Sequence, residues 1–330
     1  MSAGTETGAL LSIRDLEVRF RGPAGTVVAS RGVCLDVVQG ETLGLVGESG
    51  SGKSVLCRAM LGLLPQPAAH VSAGSIVFDG QDLLRLPESR LRAIRGTDIA
   101  MVFQNAMTSL SPVWPVGEQV TEGLRIHRGL TRAEAREAGI ELMRATGIPD
   151  PSRRYDDYPW QWSGGMLQRA VIAMAMACSP RLLLADEPTT ALDVTIQEQI
   201  LALLSELQAE KHMTMVLVSH DIGVIAETCD RIAVMYAGMV VETGKASEVL
   251  WAPRHPYTAG LLRSSPDLDD ESLRLEPIPG QPPDLLNPAP GCPFAERCGL
   301  ASAECRHEAV RLREVAPGHH SACLFPERLS

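Results

Sequence analysis

Residues 47–54 read Gly-Glu-Ser-Gly-Ser-Gly-Lys-Ser, the spacing of a loop that cradles phosphate. No other stretch restricts the fold as far, because such a loop works only between a strand and a helix. Its flanks supply both: residues 41–46 are a short apolar strand pattern, and residues 53–64 are a helix-competent run ending near Pro65. Glycines at 47, 50 and 52 let the backbone turn inward, so that N–H groups and the positive end of the helix point at phosphate oxygens. Glu48, Ser49 and Ser51 complete the cradle. Lys53 would then reach the β- and γ-phosphates of ATP, and the Ser54 hydroxyl would sit on Mg²⁺. The plainer alternative is a glycine-rich turn that only opens a helix, and the full pattern with correct flanks argues against it. By itself the loop leaves kinase, GTPase and transporter ATPase open.

Two downstream segments narrow the choice. Residues 181–186 form a continuous apolar run closed by Asp186, the pattern of a buried parallel strand whose carboxyl end faces a ligand. Asp186 is placed to hold Mg²⁺ through water, and Glu187 to orient or deprotonate an attacking water. The pair could instead cap a helix, but Pro188 and further residues intervene before the amphipathic run of 195–211. Residues 162–169 read Trp-Ser-Gly-Gly-Met-Leu-Gln-Arg ahead of an apolar helix at 170–178. A serine hydroxyl, bare glycine amides and a helix N-terminus make a second anion-binding surface, or more simply a helix cap.

With these segments in order, the chain resembles an ATP-binding cassette ATPase. In that family two cassettes sandwich two ATP molecules, each held by the phosphate loop of one and the Ser-Gly-Gly segment of the other. The resemblance implies that Ser163, Gly164, Gly165, Met166 and Gln168 face a partner cassette, together with Asp193 of Thr190-Ala191-Leu192-Asp193. It implies that Gln104 is the metal-sensing residue coupled to a membrane partner and a third Mg²⁺ contact, that His220 contacts the γ-phosphate, and that Phe20 stacks on adenine. The implied fold is α/β: a P-loop NTPase (RecA-like) core with an antiparallel β subdomain, a helical signature subdomain and a small Cys-rich C-terminal extension. Trp162 and Leu167 depart from the family pattern, and residues 105–112 differ at three positions from the Asp-Pro-Met-Thr-Ser-Leu-Asn-Pro of peptide-transporter cassettes.

Composition agrees. A chain of 330 residues, 45% apolar, suffices for a two-part core with an appendage, and a net charge of −10 argues against a nucleic-acid surface. No run approaches the roughly 20 apolar residues that span a bilayer, and residues 1–11 lack a secretory pattern. The expected place is the cytoplasmic face of the membrane, reached through partners. The expected cassette covers residues 8–262, with an antiparallel strand near 74–80, a helical part at about 105–179 and a capped helix from Thr131. No internal repeat is visible, so a second cassette is required.

A proline-rich linker is expected at 263–290 and an extension at 291–330. Four of the eight cysteines, Cys292, Cys298, Cys305 and Cys323, fall in this extension. Their spacing is not that of a ribbon zinc site, which leaves metal binding or coincidence. His255-Pro256-Tyr257-Thr258, Gly280-Gln281-Pro282-Pro283 and Gly291-Cys292-Pro293-Phe294 through Arg297-Cys298 are similar to the extension of oligopeptide and dipeptide importer ATPases. That likeness implies a 4Fe-4S cluster on the four thiolates, with Zn²⁺ second and unligated thiols third. It also implies a dipeptide or oligopeptide importer with a second, paralogous cassette, two membrane permeases and an extracytoplasmic binding protein. Import of nickel or another small solute, a soluble ATPase acting on DNA or ribosomes, and a redox-responsive regulator are the alternatives.

Overall fold

The computed structural model describes residues 8–190, 192–264, 276–286 and 288–329. Ala191 and the linker residues 265–275 lie outside the described residues. The chain divides into two compact units, one formed by residues up to Arg85 together with those from Leu217 onward, the other by Leu86–Val216.

In the first unit, strand β1 (Ala9–Gly22) turns at Pro23-Ala24 into the antiparallel β2 (Gly25–Val38). The phosphate-loop strand is β3 (Thr42–Val46), buried at every residue. β4 (Ala69–Phe78) pairs with β1 and with the short β5 (Gln81–Asp82), giving the order β2-β1-β4-β5. The β4–β5 turn is Asp79-Gly80, both at positive φ, the geometry that joins a tight hairpin without splaying its strands.

The second unit holds β6 (Ile99–Val102) parallel to β7 (Leu182–Asp186), with β8 (Thr214–Val218) leading the chain back to the first unit. Helix Arg132–Ala145 starts on a capping box: Thr131 accepts from the Glu134 N–H and the Glu134 carboxylate accepts from the Thr131 N–H. Tyr155 is buried against Gly117, where an added Cβ would meet its ring at 2.3 Å, and its hydroxyl bonds Thr121 at 2.9 Å. Helix Gly164–Met176 begins six residues before the expected 170, because Ser163 caps it.

Returning to the first unit, β9 (Arg231–Tyr236) lies parallel to β3, with Val46 opposite Val234, and β10 (Met239–Lys245) folds back on β9. The C-terminal extension then adds β11 (Arg313–Ala316) and β12 (His319–Ser321), and β12 pairs with β10 at Glu242 and Thr243. The order there is β11-β12-β10-β9-β3. Strand addition therefore anchors the extension, and one buried pair locks it: His319 Nε2 lies 2.7 Å from Glu242 Oε1, the two side chains being 3% and 0% exposed. Among the described residues no helix is long and apolar enough to cross a membrane.

His319→Ala would leave the buried Glu242 carboxylate short of a partner, at a cost of about 1–3 kcal/mol. A melting temperature lower by several degrees is expected. An unchanged melting temperature would show that the anchor does not depend on this pair.

Candidate functional site

β3 delivers the chain to the phosphate loop, and the loop's shape is dictated by what passes behind it. Gly47 has φ of +151°, and a Cβ there would lie 2.1 Å from the Met235 carbonyl oxygen on β9. Gly52 has φ of +104°, and its Cβ would lie 2.7 Å from the Ala29 carbonyl oxygen. Only glycine fits either position. Lys53 is buried, and its ammonium donates to the carbonyls of Gly47 at 2.7 Å and Glu48 at 3.1 Å. Ser51 N–H closes the turn on the Glu48 carbonyl at 3.1 Å. Helix Lys53–Met60 starts at Gly52 without a side-chain cap and stops at Leu61, four residues short of the expected end, because Gly62 turns left-handed at φ +61°.

Glu48 uses every polar group it has. Its N–H donates to the Tyr257 hydroxyl at 2.8 Å, and its carboxylate receives both terminal nitrogens of Arg297, at 2.7 and 3.0 Å. Ser49 and Gly50 are exposed at the loop tip, and Ser51 is buried behind it. His220 follows β8 as an exposed residue at the head of helix Ile222–Thr228, which Asp221 caps by accepting from the N–H groups of Gly223 and Val224. Phe20 stands half-buried near the β1 turn, opposite Val27 and Ala69.

In the second unit the carboxylate expected to act as the catalytic base has two hydrogen-bond donors. Gln104 Nε2 donates to Glu187 Oε2 at 2.8 Å, and Thr190 Oγ1 donates to the same oxygen at 3.0 Å. Glu187 follows the buried Asp186 with φ of +47°. A left-handed non-glycine residue costs about 1–3 kcal/mol and persists where the surroundings over-determine it.

Ser163 and Gly164 are exposed at the start of their helix, with Gly165 and Met166 half-buried. Gly165 is bare for packing, since a Cβ would lie 2.8 Å from Ile196 of helix Val194–Lys211. Asp193 is exposed and caps that helix through Ile196 N–H at 3.0 Å. Gln168, expected beside the partner, is 3% exposed, on the inward face of helix Gly164–Met176.

The four C-terminal cysteines line a single small cavity of about 20 Å³, with His255, Phe294 and Phe325 among its walls. Burial pushes the Cys292 thiol up to about 11, and raises Cys298 and Cys323 in the same direction. Opposing this, each of these three receives the backbone N–H two residues on, from Phe294, Leu300 and Phe325. His255 accepts the Tyr257 N–H on Nδ1 at 3.1 Å, and burial lowers its pKa to about 3, so the neutral ring carries its proton on Nε2. Among the described residues that buried Nε2 has no hydrogen-bond partner. N–H donors aimed at sulfur and a buried donor beside it suit thiolates on a metal centre. Among the described residues, no group of three or more His, Cys, Asp or Glu could hold a metal ion as placed.

Comparison with known proteins decides the family. The profile "ABC transporter" matches residues 30–190, and "Oligopeptide/dipeptide transporter, C-terminal region" matches residues 241–305. A probable peptide ABC transporter ATP-binding protein of Sinorhizobium fredii is 49% identical, covering 98% of this chain and 97% of the relative. The dipeptide transport ATP-binding protein DppD of Bacillus subtilis is 50% identical over 88% of this chain and 86% of its own, and that of Escherichia coli 47% identical over 96% and 97%. The chain belongs to the ATP-binding proteins of peptide ABC transporters.

This cassette is thus an ATPase that works with membrane permeases. Among solved structures, the dimeric ATP-binding cassette MJ0796 bound to ADP and Pi is similar with a TM-score of 0.65 at 30% identity, covering 72% of this chain and 98% of that one. Sequence reading missed four residues of the cassette's site. Tyr257 and Arg297 hold Glu48, Thr190 holds Glu187, and His255 walls the cysteine cavity. Each lies in a string already quoted for the resemblance, Thr190 before Asp193, His255 and Tyr257 in His255-Pro256-Tyr257-Thr258 and Arg297 before Cys298, but none had been given these roles.

Gly47→Ala is expected to displace the loop from β9 and to weaken ATP binding by about tenfold or more in equilibrium titrations, on steric grounds. Wild-type affinity in that variant would mean the loop is not held by this close pass.

Proposed function

We propose that this cassette is the ATP-hydrolysing subunit of a dipeptide or oligopeptide importer, and that it works at the cytoplasmic face of the membrane beneath two permeases. A paralogous second cassette and an extracytoplasmic binding protein complete the complex. The observation that carries the reading is the Glu187 carboxylate held by Gln104 and Thr190, in a chain whose relatives are named for peptide and dipeptide transport. The cassette is taken to span residues 8–262, with the linker at 263–290 and the extension at 291–330.

In this reading the loop residues 47–54 cradle the phosphates, Phe20 stacks on the adenine and Lys53 pairs with the β- and γ-oxygens. Ser54, Gln104 and Asp186 would hold Mg²⁺, which neutralises charge on those oxygens. Glu187 takes the proton of the attacking water as its oxygen bonds to the γ-phosphorus and the bond to ADP breaks. His220 steadies the γ-phosphate. Ser163, Gly164, Gly165, Met166 and Asp193 serve the partner's nucleotide, and closing and reopening of the pair drives the permeases.

The four cysteines are proposed to hold a 4Fe-4S cluster, in support of which stand their shared cavity, the N–H groups on three sulfurs and the unmatched His255 donor. One zinc ion needs all four sulfurs at about 2.3 Å from a single point. A 4Fe-4S cluster instead takes one thiolate on each of its irons. The cluster would supply electron transfer or simply hold the extension together.

Glu187→Gln should abolish ATP turnover while preserving ATP binding, and undiminished hydrolysis would refute the assigned base. Anaerobically purified chain should be coloured and contain iron and sulfide. Colourless protein holding zinc alone would sink the cluster. Purification in mild detergent from the native cells should bring two polytopic proteins and a second cassette, whereas recovery with ribosomes or nucleic acid would overturn the transport reading.

A further inference from the structure

We propose that Arg297 is a positioning residue for ATP binding, which holds the phosphate loop in shape through Glu48 and ties that shape to the packing around the four-cysteine cavity. The cavity's part in this rests on the cluster reading above, while Arg297's part rests on the ATP site alone.

The guanidinium is fully spent. Nη1 donates to Glu48 Oε2 at 2.7 Å and to the Tyr236 hydroxyl at 3.1 Å, and Nη2 to Glu48 Oε1 at 3.0 Å and to the Ile278 carbonyl at 3.3 Å. Nε donates to the Pro279 carbonyl at 2.9 Å. All five N–H donors of the side chain therefore have acceptors, and the side chain is 5% exposed. A planar fork fixed at every donor can hold a carboxylate in one orientation, which a flexible ammonium cannot do. What it holds is the second residue of the phosphate loop, whose carbonyl in turn takes the Ser51 N–H and the Lys53 ammonium. Moving Glu48 moves the two groups that shape the loop around phosphate.

Arg297 ends a short turn, Ala295–Arg297, set between Phe294 and Cys298. Phe294 walls the cavity on one side and packs edge-on to Tyr236 and Tyr257 on the other, with ring centroids 5.3 and 5.4 Å apart. Tyr257 returns to the same loop residue by accepting the Glu48 N–H. Two routes thus run from one five-residue segment at the cavity wall to Glu48, one through charge and one through close-packed rings. Interiors packed in this way pass on displacements instead of absorbing them. Loss of order at the cysteines would reach Arg297 first.

The test is a double-mutant cycle on ATP affinity, using full-length chain purified anaerobically and titrated with Mg-ATP. Arg297→Gln and Glu48→Gln should each weaken binding by about fivefold or more, the lower range of couplings between linked sites. The double variant should be no weaker than the worse single one, and Arg297→Lys should not restore affinity. Cys305→Ser should weaken ATP binding in the wild-type background and add nothing in Arg297→Gln. Arg297→Gln that melts earlier but binds ATP within twofold of wild type would overturn the proposal, as would additive effects in the cycle. Should Arg297→Gln not fold, Glu48→Gln alone decides, and wild-type affinity there counts against it. Iron and sulfide assayed on the same samples separate failure of the cluster reading from failure of this one.

Discussion

The close pass of the phosphate loop over β9 is the constraint on which the rest of the first unit depends. A Cβ at Gly47 would lie 2.1 Å from the Met235 carbonyl, so the loop and β9 are built as one object. β9 reaches that position because it lies parallel to β3 and register sets Val46 opposite Val234. Lys53 then closes over the loop's own carbonyls and is buried with them. The loop's shape is thus set by backbone packing, which is how a site limits the ordering it must undergo on binding.

The same strand supplies the platform for the extension. Tyr236 ends β9 and meets Tyr257 and Phe294 in a buried trio of rings, with 4.4 Å between the two tyrosine centroids. Burial raises both tyrosine pKa values, so these hydroxyls stay neutral and serve as hydrogen-bond partners of Arg297 and Glu48. β12 completes the attachment from the far side by extending the sheet beyond β10. A segment whose five arginines and five glutamates from residue 285 onward offered no net tether is thereby held by main-chain bonds, ring packing and two specific pairs, His319 with Glu242 and Arg297 with Glu48.

Much of this was legible in the linear pattern. β3, β7 and β8 were readable as short apolar runs, because a strand covered on both faces needs no alternation. The capping box at Thr131 and Glu134 was readable because its partners are three residues apart. Helix ends were read less well, since Ser163 and Gly62 moved them by local caps and turns that weigh less than periodicity in a sequence. Gln168 sits beside the Ser-Gly-Gly segment in sequence yet points inward, because helical geometry turns it away from its exposed neighbours.

The sequence by itself determined the phosphate-loop pattern and the residue types on which the proposed chemistry rests, since those follow from residue type at short, fixed spacing. It also determined the family, through the order of those segments. Tertiary structure alone decided what holds them. Glu48 and Arg297 are 249 residues apart in the chain, and Glu242 and His319 are 77 apart. No local spacing records such pairs, because they arise only when strand register and ring packing bring distant segments to one place. The fold likewise decided that the four cysteines share one cavity with a buried histidine.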